Sequence, residues 1–163
     1  MKTLVAVRHA KSSWAEPGIS DFDRPLNERG KKDAPEMARR LRQRNLSFDQ
    51  FVSSPAKRAK KTAGLFAEEL GYDKEKILLV PELYMASGED MINIIKKTPA
   101  NVQSLIFFTH NPGITEFVNM LSDVMIDNIP TAAVYAVNID CEDWKDFENA
   151  KKEFLFFDYP KAV

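Results

Sequence analysis

The chain has 163 residues, 44% of them hydrophobic and 29% charged, which predicts one domain over residues 1–163 with a single sizeable core. Its 23 Lys and Arg against 24 Asp and Glu leave a net charge of -1, so no global positive field exists to hold nucleic acid or an anionic membrane, and any anion site must be local. The lone cysteine, Cys141, excludes an intrachain disulfide and a thiolate metal cluster; with no signal-peptide core at the start and no apolar run long enough to span a bilayer, a cytoplasmic setting is expected.

The first strand is predicted over residues 3–8, where the apolar run Leu4-Val5-Ala6-Val7 ends abruptly in Arg8-His9. A long connection follows, through Ser12, Ser13 and Trp14 to Arg24, and its length suggests a functional loop. A helix is expected over 28–44, with Ala34, Met37, Ala38 and Leu41 in one apolar stripe; Pro35 lacks a donor and is expected to bend it or delay its start. Next come a strand at 48–53, a helix at 55–70 with Ser54 as cap before Pro55, a strand at 77–80 and a helix at 89–97. A second continuous apolar strand at 104–109 precedes a helix at 112–122, for which Asn111 is the expected cap before Pro112. The last strands, 132–139 and 153–157, are joined by "DCEDWKDFENAKK", too short for a firm crossover helix, so an antiparallel edge is expected. Strands alternating with helices predict an α/β fold, and the two continuous apolar runs predict a mostly parallel sheet buried on both faces.

Open parallel sheets bind ligands at the carboxyl ends of their strands. There this chain places Arg8-His9, "SSPAKRAKKTA" and "THNPG", and each of its two histidines follows directly on a buried strand. Each piece has an ordinary alternative: Arg8-His9 as a plain strand end, His110 as a polar neighbour of a cap, Arg58 as one more solvated cation. Helical geometry separates Arg58 from the other cations. Ala59, Ala63, Phe66 and Leu70 define the core stripe, Arg58 lies at its edge beside Thr62, and Lys57 and Lys61 point away. Two guanidiniums, two imidazoles and a helix N-terminus together suit a phosphoryl group.

At these residues the sequence resembles the histidine phosphatase superfamily, and within it the SixA-type phosphohistidine phosphatases. The resemblance rests on "VRHAKSSW", "DFDRPLNERG", "VSSPAKRAKKTA" and "LYMAS" followed by "THNPG", in the family's order over residues 4–113. It implies a phosphoglycerate mutase-like α/β/α sandwich with a mostly parallel sheet and an antiparallel edge. It also implies a two-step mechanism without magnesium or another cofactor. His9 attacks phosphorus, water hydrolyses the phosphohistidine intermediate, and Arg8, Arg58 and His110 hold the non-bridging oxygens. The partner implied is a phosphohistidine-carrying protein such as a histidine phosphotransfer domain, or another phosphate or phosphoester ligand.

For the attack the reacting nitrogen of His9 must be neutral, and its other ring nitrogen is expected to donate to a backbone carbonyl. Ser12 and Arg24 are candidate phosphate or substrate contacts; Arg24 could equally be a local ion partner of Asp21 or Asp23. Ester-cleaving members of the family place a glutamate near the third strand as general acid. Here the candidates are Glu82 and, further on, Glu89, neither in the fuller acidic motif, and a phosphoramidate leaving group needs a strong acid less than an alkoxide does. No ligand pair shows metal-site spacing, so no metal site is expected.

Overall fold

The computed structural model describes residues 1–161; residues 162 and 163 of the expected domain lie outside the described residues. Among those described, six strands form one sheet: β1 (Lys2–Arg8), β2 (Gln50–Ser53), β3 (Leu78–Leu79), β4 (Ser104–Thr109), β5 (Val134–Ile139) and β6 (Lys152–Asp158). Their order is β3-β2-β4-β1-β5-β6, with β1 to β4 mutually parallel and β5 and β6 antiparallel at one edge, as expected. The "DCEDWKDFENAKK" connection carries a 3-10 helix, Trp144–Asn149.

Strand alternation divides the core into two layers. Val5, Val7, Phe51, Ile106 and Phe108 face one side, against Met37 and Leu41 of α1 (Glu28–Gln43) and Ala63 and Phe66 of α2 (Lys57–Leu70). Leu4, Ala6, Val52, Leu105 and Phe107 face the other, against Met91 and Ile95 of α3 (Gly88–Ile95), Ile114 and Phe117 of α4 (Gly113–Asn119), and Trp144. Each large side chain fully buried here contributes roughly 1.5–3 kcal/mol. No described helix is long and apolar enough to cross a membrane.

α1 starts at Glu28, as expected, with Asn27 Oδ1 accepting from the Gly30 amide at 2.8 Å, and Pro35 lies inside it without delaying that start. Two expected caps are corrected. Ser54 does not cap α2: Ala56 holds the N-cap position, and the Ser54 hydroxyl is drawn to His110. Asn111 likewise stands before the N-cap of α4, which is Pro112; its amide donates to Asn128 Oδ1 and the Ile129 carbonyl. The Ser54 hydroxyl accepts from the Ala56 amide instead of a helix amide, and the Asn111 Oδ1 is taken by the Thr115 hydroxyl.

Candidate active site

β1 and β4 are adjacent and parallel, so the residues that leave them meet. Arg8 pairs with Thr109 in the register, and the His9 amide donates to the Thr109 carbonyl at 3.1 Å. The rings of His9 and His110 therefore lie 5.1 Å apart between centroids. β2 flanks β4 on its other side, and the Ser54 amide donates to the Phe108 carbonyl at 3.0 Å, which brings the start of α2 beside His110. Arg58, in the first turn of α2, is buried against the sheet, and Thr62 one turn on holds it there by donating to its carbonyl at 2.7 Å. Arg8, His9, Arg58 and His110 thus line one cleft of about 720 Å³.

The orientation of His9 is fixed. Nδ1 lies 2.8 Å from the Ala10 carbonyl and so carries the proton, while Nε2 accepts from Arg58 Nε at 3.4 Å. Burial pushes the imidazolium pKa down to about 3, with help from the charges of His110, Arg58 and Arg8 and against the Ala10 hydrogen bond. His9 is a neutral imidazole with its lone pair beside a guanidinium.

His110 is set from the opposite side. Ser54 Oγ accepts from the Ala56 amide at 3.2 Å and lies 2.7 Å from His110 Nε2; when the hydroxyl donates there, His110 carries its own proton on Nδ1. Among the described residues, His110 Nδ1 and Arg8 Nε are buried without a protein partner. Burial, and then the Arg58 charge, lower the His110 pKa to about 4. Arg8 is anchored at its other end, Nη1 donating to the Ile129 carbonyl at 2.8 Å.

The connection after β1 folds back on itself through an isolated bridge between Ser12 and Leu26, and so delivers Arg24 to the cleft. Arg24 Nη1 donates to Ser12 Oγ, and Nη2 donates to Asp21 Oδ1 at 3.2 Å. The local ion pair expected for Arg24 is present, with Asp21, and the same side chain lines the cleft. The Arg24 guanidinium carbon lies over the Trp14 ring, 3.6 Å from its centroid.

Sequence reasoning missed Asp21 and Tyr84 as parts of the site. Asp21 receives Arg58 Nη2 at 3.0 Å and the Tyr84 hydroxyl at 2.6 Å on the same oxygen, and its carbonyl receives Arg58 Nη1 at 2.6 Å. The Tyr84 hydrogen bond first, then Arg58 and Arg24, bring the Asp21 pKa to about 2. Tyr84 also meets His110 edge-on at 5.5 Å. Gly113 secures this contact, because a Cβ there would stand 1.9 Å from the Ala86 carbonyl, so α4 and the 83–86 turn touch backbone to backbone. The signal for both residues was the quoted motifs "DFDRPLNERG" and "LYMAS".

Glu82 does not line the cleft. It is exposed in the turn Pro81–Leu83 and borders a separate recess with Val80, Met91 and Ile95; Glu89 is exposed and does not line the cleft either. The carboxylates that do line it are Asp21, Asp90 and Glu116. Asp90 accepts from the Ser87 amide in a capping box, and Glu116 accepts from the Gly88 amide at 3.1 Å. Among the described residues no three His, Cys, Asp or Glu side chains are grouped to hold a metal ion.

The model of the histidine phosphatase superfamily (branch 1) matches residues 4–120. An uncharacterized chloroplastic protein of Arabidopsis thaliana is 31% identical over 134 residues, 77% of this chain and 61% of its own, so the chain spans about three fifths of that relative. The crystal structure of SixA from Agrobacterium tumefaciens, assigned as a phosphohistidine phosphatase, superposes with a TM-score of 0.82 at 26% identity, covering 98% of each chain. A protein histidine phosphatase SixA solved with tungstate superposes with a TM-score of 0.82 at 20% identity, covering 97% of each chain, and so shares the fold.

Proposed function

The chain belongs to the histidine phosphatase superfamily (branch 1), and from that premise we propose that it is a metal-independent phosphohistidine phosphatase acting on a phosphohistidine carried by a signalling or phosphotransfer protein. The observation that carries this reading is the His9 ring, neutral, held at Nδ1 by the Ala10 carbonyl, with Nε2 facing the cation set.

In the first step the Nε2 lone pair attacks phosphorus while the P–N bond of the substrate breaks. The bond electrons leave on the substrate imidazole, which departs neutral when its other nitrogen is protonated. Water then attacks phospho-His9, its P–N bond breaks, and phosphate departs. Arg58 Nε, Arg8 Nε and His110 Nδ1 are the donors for the non-bridging oxygens, and Arg24 and Ser12 bind at the rim. His110 serves as a neutral donor.

Leaving-group chemistry favours the phosphoramidate. Each carboxylate lining the cleft is already an acceptor for protein donors, and Asp21, with a pKa near 2, is a carboxylate throughout the physiological range. An alkoxide depends on a general acid more than a protonated imidazole leaving group does. The cleft rim carries Trp14, 79% exposed, and Met85, 82% exposed, apolar surface suited to a protein carrier.

The test compares kcat/KM for a phosphorylated histidine carrier and a panel of small phosphate esters, with and without EDTA. The carrier should lead, EDTA should change nothing, and His9→Ala should abolish turnover while the thermal melt stays cooperative. Full activity in His9→Ala would falsify the mechanism. A lead for a sugar phosphate would transfer the mechanism to small phosphomonoesters.

A further inference from the structure

We propose that the groove along the outer face of α2 is a docking surface for an acidic amphipathic helix of the phosphorylated protein, an inference that rests on the protein-substrate reading above. Lys57, Lys60, Lys61, Gly64, Leu65 and Glu68 fall at helical spacing on this face, and with Pro25, Leu26, Ile77 and Leu79 they line an open groove of about 860 Å³. Lys74 is paired with Glu68 at 2.8 Å and Lys31 with Glu28 at 3.4 Å. Lys57, Lys60 and Lys61 are exposed; Lys61 acts on Glu68 through its charge, and Glu75 is the other acid that lines the groove, so lysines outnumber acids along it. In a chain of net charge -1, three such neighbouring cations are a local concentration of charge.

The rest of the groove defines the occupant. Its aliphatic lining comes from Leu26, Leu65, Ile77 and Leu79, and at Gly64 the missing side chain leaves room that the Lys74 stem borders, its Cδ 3.7 Å from where a Cβ would stand. An apolar lining beside a lysine ridge fits a helix that carries acids on one side and aliphatic residues on the next. Among the described residues no aromatic side chain lines it for bases to stack on, which disfavours a single-stranded nucleic acid. The groove adjoins the cleft: Lys57 precedes Arg58, and Pro25 follows Arg24. A helix seated there lies next to the mouth through which its phosphohistidine reaches His9.

The probes are two labelled helical peptides, each with one histidine flanked by leucines at helical spacing and either glutamates or glutamines between them. Fluorescence anisotropy with the full chain should show the glutamate peptide binding about tenfold tighter than the glutamine one at about 50 mM NaCl, and equally at about 500 mM. The triple variant Lys57→Glu, Lys60→Glu, Lys61→Glu should lose that preference while hydrolysing phosphoramidate at the wild-type rate. Undiminished binding of the glutamate peptide by the variant would overturn the docking surface, as would tighter binding of an oligonucleotide of equal charge. Phosphorylating the same peptide on histidine separates the two claims. If wild type binds it and releases no phosphate, the catalytic reading fails and the mapped surface stands.

Discussion

Asp21 clamps the far edge of Arg58: its Oδ2 lies 3.0 Å from Nη2 and its carbonyl 2.6 Å from Nη1, while Arg58 Nε, 3.4 Å from His9 Nε2, stays on the reacting side. Charge-assisted hydrogen bonds of this kind are worth roughly 1.5–3 kcal/mol each. Asp21→Ala should therefore lower kcat/KM by roughly ten- to a hundredfold. Asp21→Asn, which keeps the acceptor oxygen, should lose less, and Tyr84→Phe less again. Steady-state kinetics on one substrate checks the order; a D21A enzyme as fast as wild type would show that Arg58 needs no clamp.

Both histidines are held neutral, which sets a pH signature. With folded pKa values near 3 and 4 against an unfolded value of 6.5, the unfolded chain binds more protons as pH falls, so stability present above pH 6.5 is lost progressively toward pH 4 and then 3. The imidazole NMR signals of the two histidines should not titrate between about pH 5.5 and 8. An inflection near 6.5 on either ring would contradict the buried geometry. Tungstate, by adding negative charge, should raise both values.

Trp14 lies over the Arg24 guanidinium at 3.6 Å yet is itself 79% exposed, so its role is to hold a cation rather than to fill a core. An exposed contact of this type is worth roughly 0.5–1 kcal/mol. Trp14→Ala should raise KM about two- to fivefold, leave kcat nearly unchanged and leave the melting temperature within a degree or two. A large fall in kcat at constant KM would place Trp14 in the chemical step instead.

Gly113→Ala should be the most damaging small substitution near the cleft. Its Cβ would stand 1.9 Å from the Ala86 carbonyl and 2.8 Å from Met91 Cε, and the first of these is backbone that cannot step aside without moving the turn under Tyr84. Overpacking of this kind costs about 1–3 kcal/mol or more. Denaturant titration should show the loss; wild-type stability in the variant would mean that α4 and the 83–86 turn separate freely.

What the sequence revealed and what it hid have one physical division. Arg8, His9 and His110 were legible because each follows a buried apolar strand, and parallel pairing makes strand ends coincide. Arg58 was legible through helical phase. Asp21, Tyr84 and the true placement of Arg24 depend on how loops fold back, through contacts such as Ser12 with Leu26, and no periodicity encodes those. Ser54 and Asn111 read as caps by their position before prolines, but each has a tertiary partner that no local rule anticipates. Glu82 sits in a short 3-10 turn where a single residue decides which recess a side chain borders, and the turn sends it away from His9.

The Arg8–Thr109 register has a consequence for how such a site can be changed. The separation of the two imidazoles is measured out by neighbouring main chains, so the ruler of the centre is the spacing of the sheet itself. Surface loops can be lengthened, exchanged or grafted around that ruler, whereas inserting one residue into either strand would turn a ring through the plane to the opposite layer.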